Sequence, residues 1–318
     1  MSTIQQTLAR GSISFSRPQY WRRKFTNRLM LSITGIMTLI ALVPLFWIIG
    51  YVIYKGGQYI SLDLFTQMPR PLGVQGGGVL HAIQGTLLLS VLAGIFSIPP
   101  GILAAFFAAR FPNTPIGIAV RFGTDVMSGV PSIVVGMFAY ALIVKVQGHF
   151  SALAGGFALA LIMLPTVIRT TEEMIKLVPQ SLREASLALG AAEWKTSISV
   201  ILPAAANGIV TGIILGLARA SGETAPLLFT ALGNERFDAV AIVTNGINAK
   251  QSLWVILQRL LGQPVDSLPL TLWKYAQQPF PERINQSWAV AFVLMLLILT
   301  LNIVARLWVH FRSTKIRG

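Results

Sequence analysis

The chain has 318 residues, of which 54% are hydrophobic and only 11% are charged. Soluble globular domains carry about 25% charged residues, so most of this chain must lie in a lipid bilayer. The absence of cysteine excludes disulfides, thiolate metal sites and cysteine nucleophiles, and the net charge of +14 indicates a nucleic-acid partner only if the basic residues form a patch.

Hydrophobic runs predict six transmembrane helices and therefore an all-α polytopic membrane protein. Each run has about twenty apolar residues or more and few charges. The six runs lie at about residues 29–54, 79–109, 116–144, 151–168, 204–231 and 287–309. The first run is longer than the apolar region of a signal peptide and no small-residue cleavage site follows it, so we expect it to remain in the mature protein.

The segments between the runs are interpreted as tails and loops. We expect tails at 1–28 and 312–318, a membrane domain at 29–311, and two long loops at 179–203 and 233–286. If the N-terminus is cytosolic, the cytosolic side receives about twice as many Lys and Arg residues as the other side, as the positive-inside rule expects. Both termini and the first of these loops are then cytosolic. This topology accounts for most of the basic charge, and the basic residues flank spans and form no patch.

Proline residues predict breaks in two of the spans. Pro99 and Pro100 lie inside the second run and Pro131 lies inside the third, and each removes a backbone donor. Two explanations remain open, because such kinks mark moving parts in some membrane proteins and only improve packing in others.

The loop at 233–286 contains an apolar stretch at Leu253–Leu261. This stretch is too short to cross a membrane, so we expect a helix that lies at the membrane surface or re-enters the bilayer. Docking of an external partner is the alternative.

Several kinds of chemistry are absent from the sequence. No Gly-Lys pair is present, so the chain lacks the G-x-x-x-x-G-K-[ST] loop that holds a nucleotide. The three histidines, His81, His149 and His310, lie in unrelated segments without ligand spacing. We therefore expect no catalytic site, metal site or cofactor in this chain. Transport is the class of function that remains.

The loop at 179–203 has the pattern of two short helices. Ser181 and Glu184, just after Pro179, have the spacing of a capping box, and Gly190 permits a turn before the second helix. Apolar residues recur at helical spacing in each half, namely Leu182, Ala185 and Leu189, then Trp194, Ile198 and Ile201. We expect the fifth span to begin at Pro203. The pair is either a docking element for a partner or a helical loop packed on its own bundle.

This loop resembles the EAA loop of ABC importer permeases, which docks on the ATPase subunit in that family. The residues that carry the resemblance are Glu184, Ala185, Ser186, Gly190 and Ile201 to Pro203. Ser186 replaces the family's usual second alanine. Four further segments, GGGVLHAIQGT, DVMSGVPSIVVG, LPTVIRTTEEM and ARASGETAPLL, resemble the PstA-type permeases of phosphate importers.

The resemblance implies a type I ABC importer permease of the MetI-like fold, in the bacterial plasma membrane. It also implies a cytosolic ATPase pair that binds ATP and Mg²⁺, a second permease of PstC type, and an extracytoplasmic phosphate-binding protein. The alternatives are an ABC permease for sulfate or molybdate, an ion-coupled secondary transporter, and a membrane sensor that transports nothing.

Four charged residues inside the spans are candidates for the substrate pathway. Arg219 and Glu223 are four residues apart in an apolar run, which places them on one helix face. Charges within a bilayer are costly and usually functional, although these two could also form a self-neutralising pair. The planar guanidinium of Arg219 can donate two hydrogen bonds to an oxyanion. Ionised Glu223 could accept a hydrogen bond from the proton-bearing oxygen of phosphate, a contact that deprotonated sulfate cannot make. Asp125 and Arg169 are the other candidates, and for Arg169 pairing or snorkelling is the alternative.

Overall fold

The computed structural model describes residues 17–71, 74 and 76–314. The chain divides into two compact units, Met1–Tyr54 and Lys55–Gly318. The described helices are α1 (Arg17–Gly57), α2 (Leu62–Thr66), α3 (Leu80–Arg110), α4 (Pro115–Gly129), α5 (Ser132–Ala139), α6 (Ala152–Lys176), α7 (Gln180–Ala188), α8 (Glu193–Thr196), α9 (Leu202–Ser221), α10 (Ala225–Thr230), α11 (Ala239–Asn248), α12 (Leu253–Leu261), α13 (Leu268–Ala276) and α14 (Pro281–Thr314).

The first unit contains most of α1. This helix begins at Arg17, inside the segment that the sequence predicts as a tail at 1–28. Three threonines, Thr26, Thr34 and Thr38, donate their hydroxyl protons to carbonyl oxygens four residues earlier, at 2.8 to 2.9 Å. These hydrogen bonds satisfy three hydroxyl groups of α1, and two of them, at Thr34 and Thr38, lie within its long apolar stretch.

Five described helices are long and apolar enough to cross a membrane, and a sixth crossing results if one bent pair counts as a single span. The bent pair joins Pro115–Gly129 to Ser132–Gln147 at an angle of 108°. A π-helical turn at Tyr140–Val144 carries α5 on to Gln147. The predicted break at Pro131 is therefore confirmed, and the predicted all-helical architecture agrees with the described part of the chain.

Helix α3 corrects the prediction of a second broken span. It runs from Leu80 to Arg110 without interruption through Pro99 and Pro100, whose rings lie on its exposed face. On the other face Gly101 lets Val167 of α6 come within 2.8 Å of the place a Cβ would occupy. Close packing along α6 holds the backbone helical where two donors are missing.

Helix α6 is the centre of the second unit. It packs on α3, α4, α5, α9 and α10. Its Leu159, Met163 and Val167 form a buried cluster with residues such as Leu89 and Leu227. A second cluster joins α2, the start of α3, α13 and α14, with Tyr275 and Val290 among its members. Because α6 contacts helices on several sides, it holds both halves of the bent span, α4 and α5, in place.

Helix α9 approaches α6 through three glycines with a spacing of four residues. A Cβ at Gly208, Gly212 or Gly216 would lie 2.1, 2.0 and 2.9 Å, respectively, from the nearest side-chain atom of α6. Small residues at this spacing allow transmembrane helices to pack with their backbones close together. The glycine face of α9 is therefore fixed against α6.

The fifth span differs from the prediction of one helix at 204–231. A π-helical turn at Ser197–Ile201 joins α8 to α9, so the helical path begins at Glu193 and ends at Ser221. In that turn the N–H of Leu202 donates to the carbonyl oxygen of Ser197, five residues earlier. The wider turn just before Pro203 accommodates a residue without a donor, which is why the span does not begin there.

The loop at 233–286 contains α11, α12 and α13. The apolar stretch predicted as a helix is α12, with the predicted bounds Leu253–Leu261. Its Trp254 is exposed, as a surface helix would place it.

Candidate functional site: the α7–α8 pair and the charged groups of the spans

The α7–α8 pair, residues 179–203, is a helical corner at one end of the bundle. The predicted capping box is wrong, because Pro179 occupies the cap position and Ser181 lies within the first turn of α7. Gly190 has φ +80°, in the left-handed region. The N–H of Gly190 donates to the carbonyl of Leu187 at 2.9 Å, and the N–H of Ala191 donates to that of Ser186 at 3.2 Å. These two bonds form a complete Schellman motif, so Gly190 sets the angle between the helices.

The apolar side chains of this pair face outward. Leu189 is 89% exposed and Trp194 is 69% exposed, and Leu182 and Ile198 are exposed as well. Of the predicted resemblance residues, Glu184, Ala185 and Pro203 are exposed and Ser186 is half-buried. A helical loop packed on its own bundle would bury these side chains, so the geometry favours a docking element.

Glu193 joins three helices at this corner, and the sequence interpretation missed it. Its Oε2 accepts from Arg110 Nη2 at the end of α3, and its Oε1 accepts from Arg183 Nη2 of α7, both at 2.8 Å. A hydrogen bond of 2.9 Å between the hydroxyls of Ser186 and Thr196 also ties α7 to α8. The α7–α8 pair is therefore held together as one unit, which an ion pair joins to α3 and a continuous helix joins to α9.

Asp125 of α4 and Arg169 of α6 form an ion pair, as the pairing interpretation of Arg169 expects. Arg169 also lies 3.7 Å from Glu173. Asp125 and Arg169 are exposed, and they line an open pocket of about 190 Å³ between α4 and α6. The contact therefore joins the first half of the bent span to α6.

A second charge network lines the same pocket and was not predicted. Glu172 is only 7% exposed, and its Oε1 lies 2.6 Å from both Arg121 Nε and Lys176 Nζ. Arg121 also donates to the carbonyl oxygen of Ala108 on α3, at 2.8 Å. The only sequence signal was a carboxylate at 172 four residues before Lys176, just after the predicted span at 151–168.

Arg219 and Glu223 are close but do not share a helix face, which corrects the sequence interpretation. Helix α9 ends at Ser221, and Glu223 lies in the short link before α10. Arg219 Nε and Glu223 Oε1 are 4.0 Å apart, and the side chain of Arg219 is 52% exposed. One long contact leaves most of the five guanidinium N–H donors available, so self-neutralisation is incomplete.

The two interrupted spans meet each other. Helix α10 packs on α5, where a Cβ at Gly136 would lie 2.6 Å from the Cα of Pro226. The break at Pro131 and the break at Gly222 therefore flank one tight contact. Within the described residues, no ion pair or hydrogen bond joins the Asp125–Arg169 pair to the Arg219–Glu223 pair.

A buried charge cluster lies near the other end of α3. Asp266 is fully buried, and its Oδ2 lies 3.0 Å from Lys274 Nζ and 3.8 Å from His81 Nε2. Next to it, the guanidinium of Arg283 stacks on the ring of Tyr275 at 4.4 Å. Burial raises the pKa of Tyr275, so its hydroxyl remains protonated. The cluster fixes the loop at 265–267 on the start of α3.

Comparison with known proteins identifies the family. The model of the binding-protein-dependent transport system inner membrane component matches residues 101–318. The phosphate transport system permease protein PstA of Yersinia pestis is 40% identical over 291 residues, which cover 91% of this chain and 92% of that protein. PstA of Haemophilus influenzae is 39% identical, with coverage of 92% and 97%. The probable PstA of Methanocaldococcus jannaschii is 36% identical, with coverage of 89% and 94%.

Solved structures agree on the fold. A chain of a bacterial alginate ABC transporter, solved with a periplasmic protein bound to an alginate pentasaccharide, superposes with a TM-score of 0.55 at 13% identity, over 93% of this chain and 97% of that one. A chain of the MetNI methionine ABC transporter gives 0.54 at 17% identity, over 73% and 94%. The predicted MetI-like permease fold is confirmed. The chain therefore belongs to the inner membrane components of binding-protein-dependent transport systems, among the PstA permeases, and is a multi-pass protein of the inner membrane.

Proposed function

We propose that the chain forms, with a second permease of PstC type, the path by which inorganic phosphate enters the cell. The observation that carries this proposal is the exposed α7–α8 pair in a chain that has no nucleotide-binding loop and whose relatives are phosphate transport permeases. Such a chain needs an external motor and a rigid surface on which the motor acts.

The motor would be a cytosolic ATPase pair that grips α7 and α8. Leu189 and Trp194 supply exposed apolar surface, and Glu184 of α7 supplies an exposed charge. ATP and Mg²⁺ would be bound by the ATPase subunits. This arrangement places both termini and the α7–α8 pair in the cytosol, as the distribution of Lys and Arg supports. The 233–286 loop then lies on the outer side, where a phosphate-binding protein would dock.

Phosphate as cargo is supported by the chemistry of the Arg219–Glu223 pair. The half-exposed guanidinium of Arg219 can donate two parallel hydrogen bonds to a tetrahedral oxyanion. The Glu223 carboxylate can accept a hydrogen bond from the proton-bearing oxygen of hydrogen phosphate, whereas fully ionised sulfate has no such donor and would only be repelled. Asp125 and Arg169 would belong to the same pathway as a contact that opens when α4 moves relative to α6.

Co-purification from membranes tests the motor assignment. We expect a nucleotide-binding subunit to be recovered with the chain and to be lost in Leu189→Glu, because a charge is placed on the most exposed apolar side chain of the docking surface. Leu62→Glu is the matched control, since Leu62 is 81% exposed and lies outside this pair, in α2. Recovery of no ATPase, or equal recovery from both variants, would refute the proposed docking.

Uptake by the assembled transporter in proteoliposomes tests the cargo. We expect ATP-driven uptake of phosphate but not of sulfate or molybdate, and we expect Glu223→Gln to admit sulfate because the repelling charge is removed. The second candidate is a permease for another oxyanion, which the guanidinium of Arg219 would suit equally well. Uptake of sulfate or molybdate by the unmodified transporter would favour that candidate.

A further inference from the structure

The exposed residues of α9 form a single line along the helix. After Pro203 they are Ala204, Asn207, Thr211, Leu215 and Arg219, followed by Gly222 at the helix end. The steps of three or four residues keep these positions on one side of a helix with 3.6 residues per turn, over about five turns. We call this set the exposed line of α9. The remaining positions of α9 are buried or half-buried.

Packing fixes the direction in which this line points. Gly208, Gly212 and Gly216 each follow a member of the exposed line by one residue, and all three are pressed against α6. One residue corresponds to a rotation of about 100° around the helix axis. The exposed line therefore cannot turn toward α6 without breaking the closest helix contact in the bundle. All members of the line therefore lie on the side of α9 that carries Arg219.

The composition of the line argues against contact with lipid tails. Three of its members are polar, namely Asn207, Thr211 and Arg219, in a helix that otherwise consists mainly of apolar and small residues. The hydroxyl of Thr211 donates its proton to the carbonyl oxygen of Asn207 at 2.9 Å, so in this conformation it can accept a hydrogen bond from the proton-bearing oxygen of hydrogen phosphate. The side-chain amide of Asn207 makes no hydrogen bond with another described residue. Polar groups at this depth normally face a cavity or another protein segment.

We propose that Asn207 and Thr211 line the route of the transported oxyanion between Arg219 and the α8 end of the helix. This inference rests on the proposed function and extends it by assigning two further contacts. Thr211 lies about 12 Å below Arg219 along the helix axis, and Asn207 lies about 6 Å further. The amide of Asn207 can donate two hydrogen bonds to an oxyanion, but it carries no charge.

The order of these groups suits release of the anion. Arg219 combines charge with hydrogen-bond donors and therefore holds an oxyanion most strongly. Neutral groups nearer the cytosol hold it more weakly, and a pathway conducts only if each site lets the ion leave. Leu215 separates the charged residue from the neutral ones and leaves a short apolar step between them.

Single cysteines test the assignment, because the natural chain contains none. Asn207→Cys and Thr211→Cys are placed in the assembled transporter in proteoliposomes and treated with a charged, membrane-impermeant thiol reagent. Ile95→Cys and Val91→Cys on α3 are the matched controls. These residues are 58% and 59% exposed and apolar, and they lie at similar depths because α3 ends where α8 begins.

We expect the cysteines at 207 and 211 to react at least about tenfold faster than the controls, because the reagent is charged and thiols ionise only in contact with water. We also expect saturating phosphate with ATP to slow their modification severalfold. Modification no faster than at positions 91 and 95 would overturn the assignment, and so would fast modification that no oxyanion slows. Protection by sulfate in place of phosphate would uphold the route and refute the proposed cargo.

Discussion

Replacement of Glu193 by glutamine should uncouple ATP hydrolysis from transport. The side chain joins α3 to α7 through two ion pairs of 2.8 Å, and the substitution keeps its size while it removes the charge. Glu193 is 59% exposed, so each pair is worth only about 0.2–1 kcal/mol. The expected loss for both pairs is therefore at most about 2 kcal/mol, and a loss of about 1 kcal/mol changes an equilibrium by about fivefold.

The expected result is a severalfold fall in phosphate uptake per ATP hydrolysed, with little change in the yield of assembled transporter. If α7 and α8 are the docking element that we propose, the variant still docks and still moves α9, whereas the connection of the pair to α3 is weakened. Both rates are measured in proteoliposomes. Lys195→Gln is the control, because it changes one charge on α8 without removing an ion pair.

A double-mutant cycle decides whether the connection to α3 is responsible. If Arg110 acts through Glu193, Arg110→Gln should add little to the effect of Glu193→Gln. A loss in the double variant that equals the sum of the losses in the two single variants would refute this reasoning. An unchanged ratio of uptake to hydrolysis in Glu193→Gln would refute it as well.

Three further predictions concern packing, buried charge and the ion pair at the bent span. Gly212→Ala should destabilise the protein by about 1–3 kcal/mol, because the added Cβ would lie 2.0 Å from Thr170 Oγ1. Gly94→Ala is the control and should be tolerated, because its Cβ would meet its nearest atom only at 3.4 Å. Thermal unfolding in detergent compares the two variants. Asp266→Asn should lower the free energy of unfolding by about 3–5 kcal/mol in the same assay, because Lys274 loses its buried partner. Adding Lys274→Met should recover part of that loss, and no recovery would contradict the ionic explanation. Asp125→Asn should change the uptake rate but change the free energy of unfolding by less than about 1 kcal/mol, since its ion pair with Arg169 is exposed. A large fall in melting temperature with normal uptake would instead assign the pair a structural role.

The sequence predicted the membrane helices well because apolar length is a local property. The predicted run at 79–109 became α3 within one residue at each end, and α12 has the predicted bounds. The left-handed turn at Gly190 and the break at Pro131 were also predictable, since they follow from the chemistry of single residues. The bent span and the α7–α8 corner could thus be located before the structure was known.

The remaining features depend on which residues become neighbours. The continuity of α3 through Pro99 depends on packing against α6, and the position of Glu223 beyond the end of α9 depends on the contact of α10 with α5. Glu193 gains its partners from two other helices, one of them 83 residues away in the chain. The three glycines of α9 were a usable signal, because their spacing of four residues is typical of close helix contacts. That spacing was not used in the sequence interpretation.

The unbroken path from α8 into α9 has a mechanical consequence. The helix is held most tightly near Gly212, which lies roughly 28 Å along the axis from Glu193 and roughly 10 Å from Arg219. If Gly212 acts as the fulcrum, the arm that reaches Glu193 is about three times as long as the arm that reaches Arg219. A displacement of about 3 Å at the α7–α8 pair then becomes about 1 Å at the guanidinium, with a correspondingly larger force. That is enough to make or break a hydrogen bond donated by Arg219 while the bundle keeps its packing.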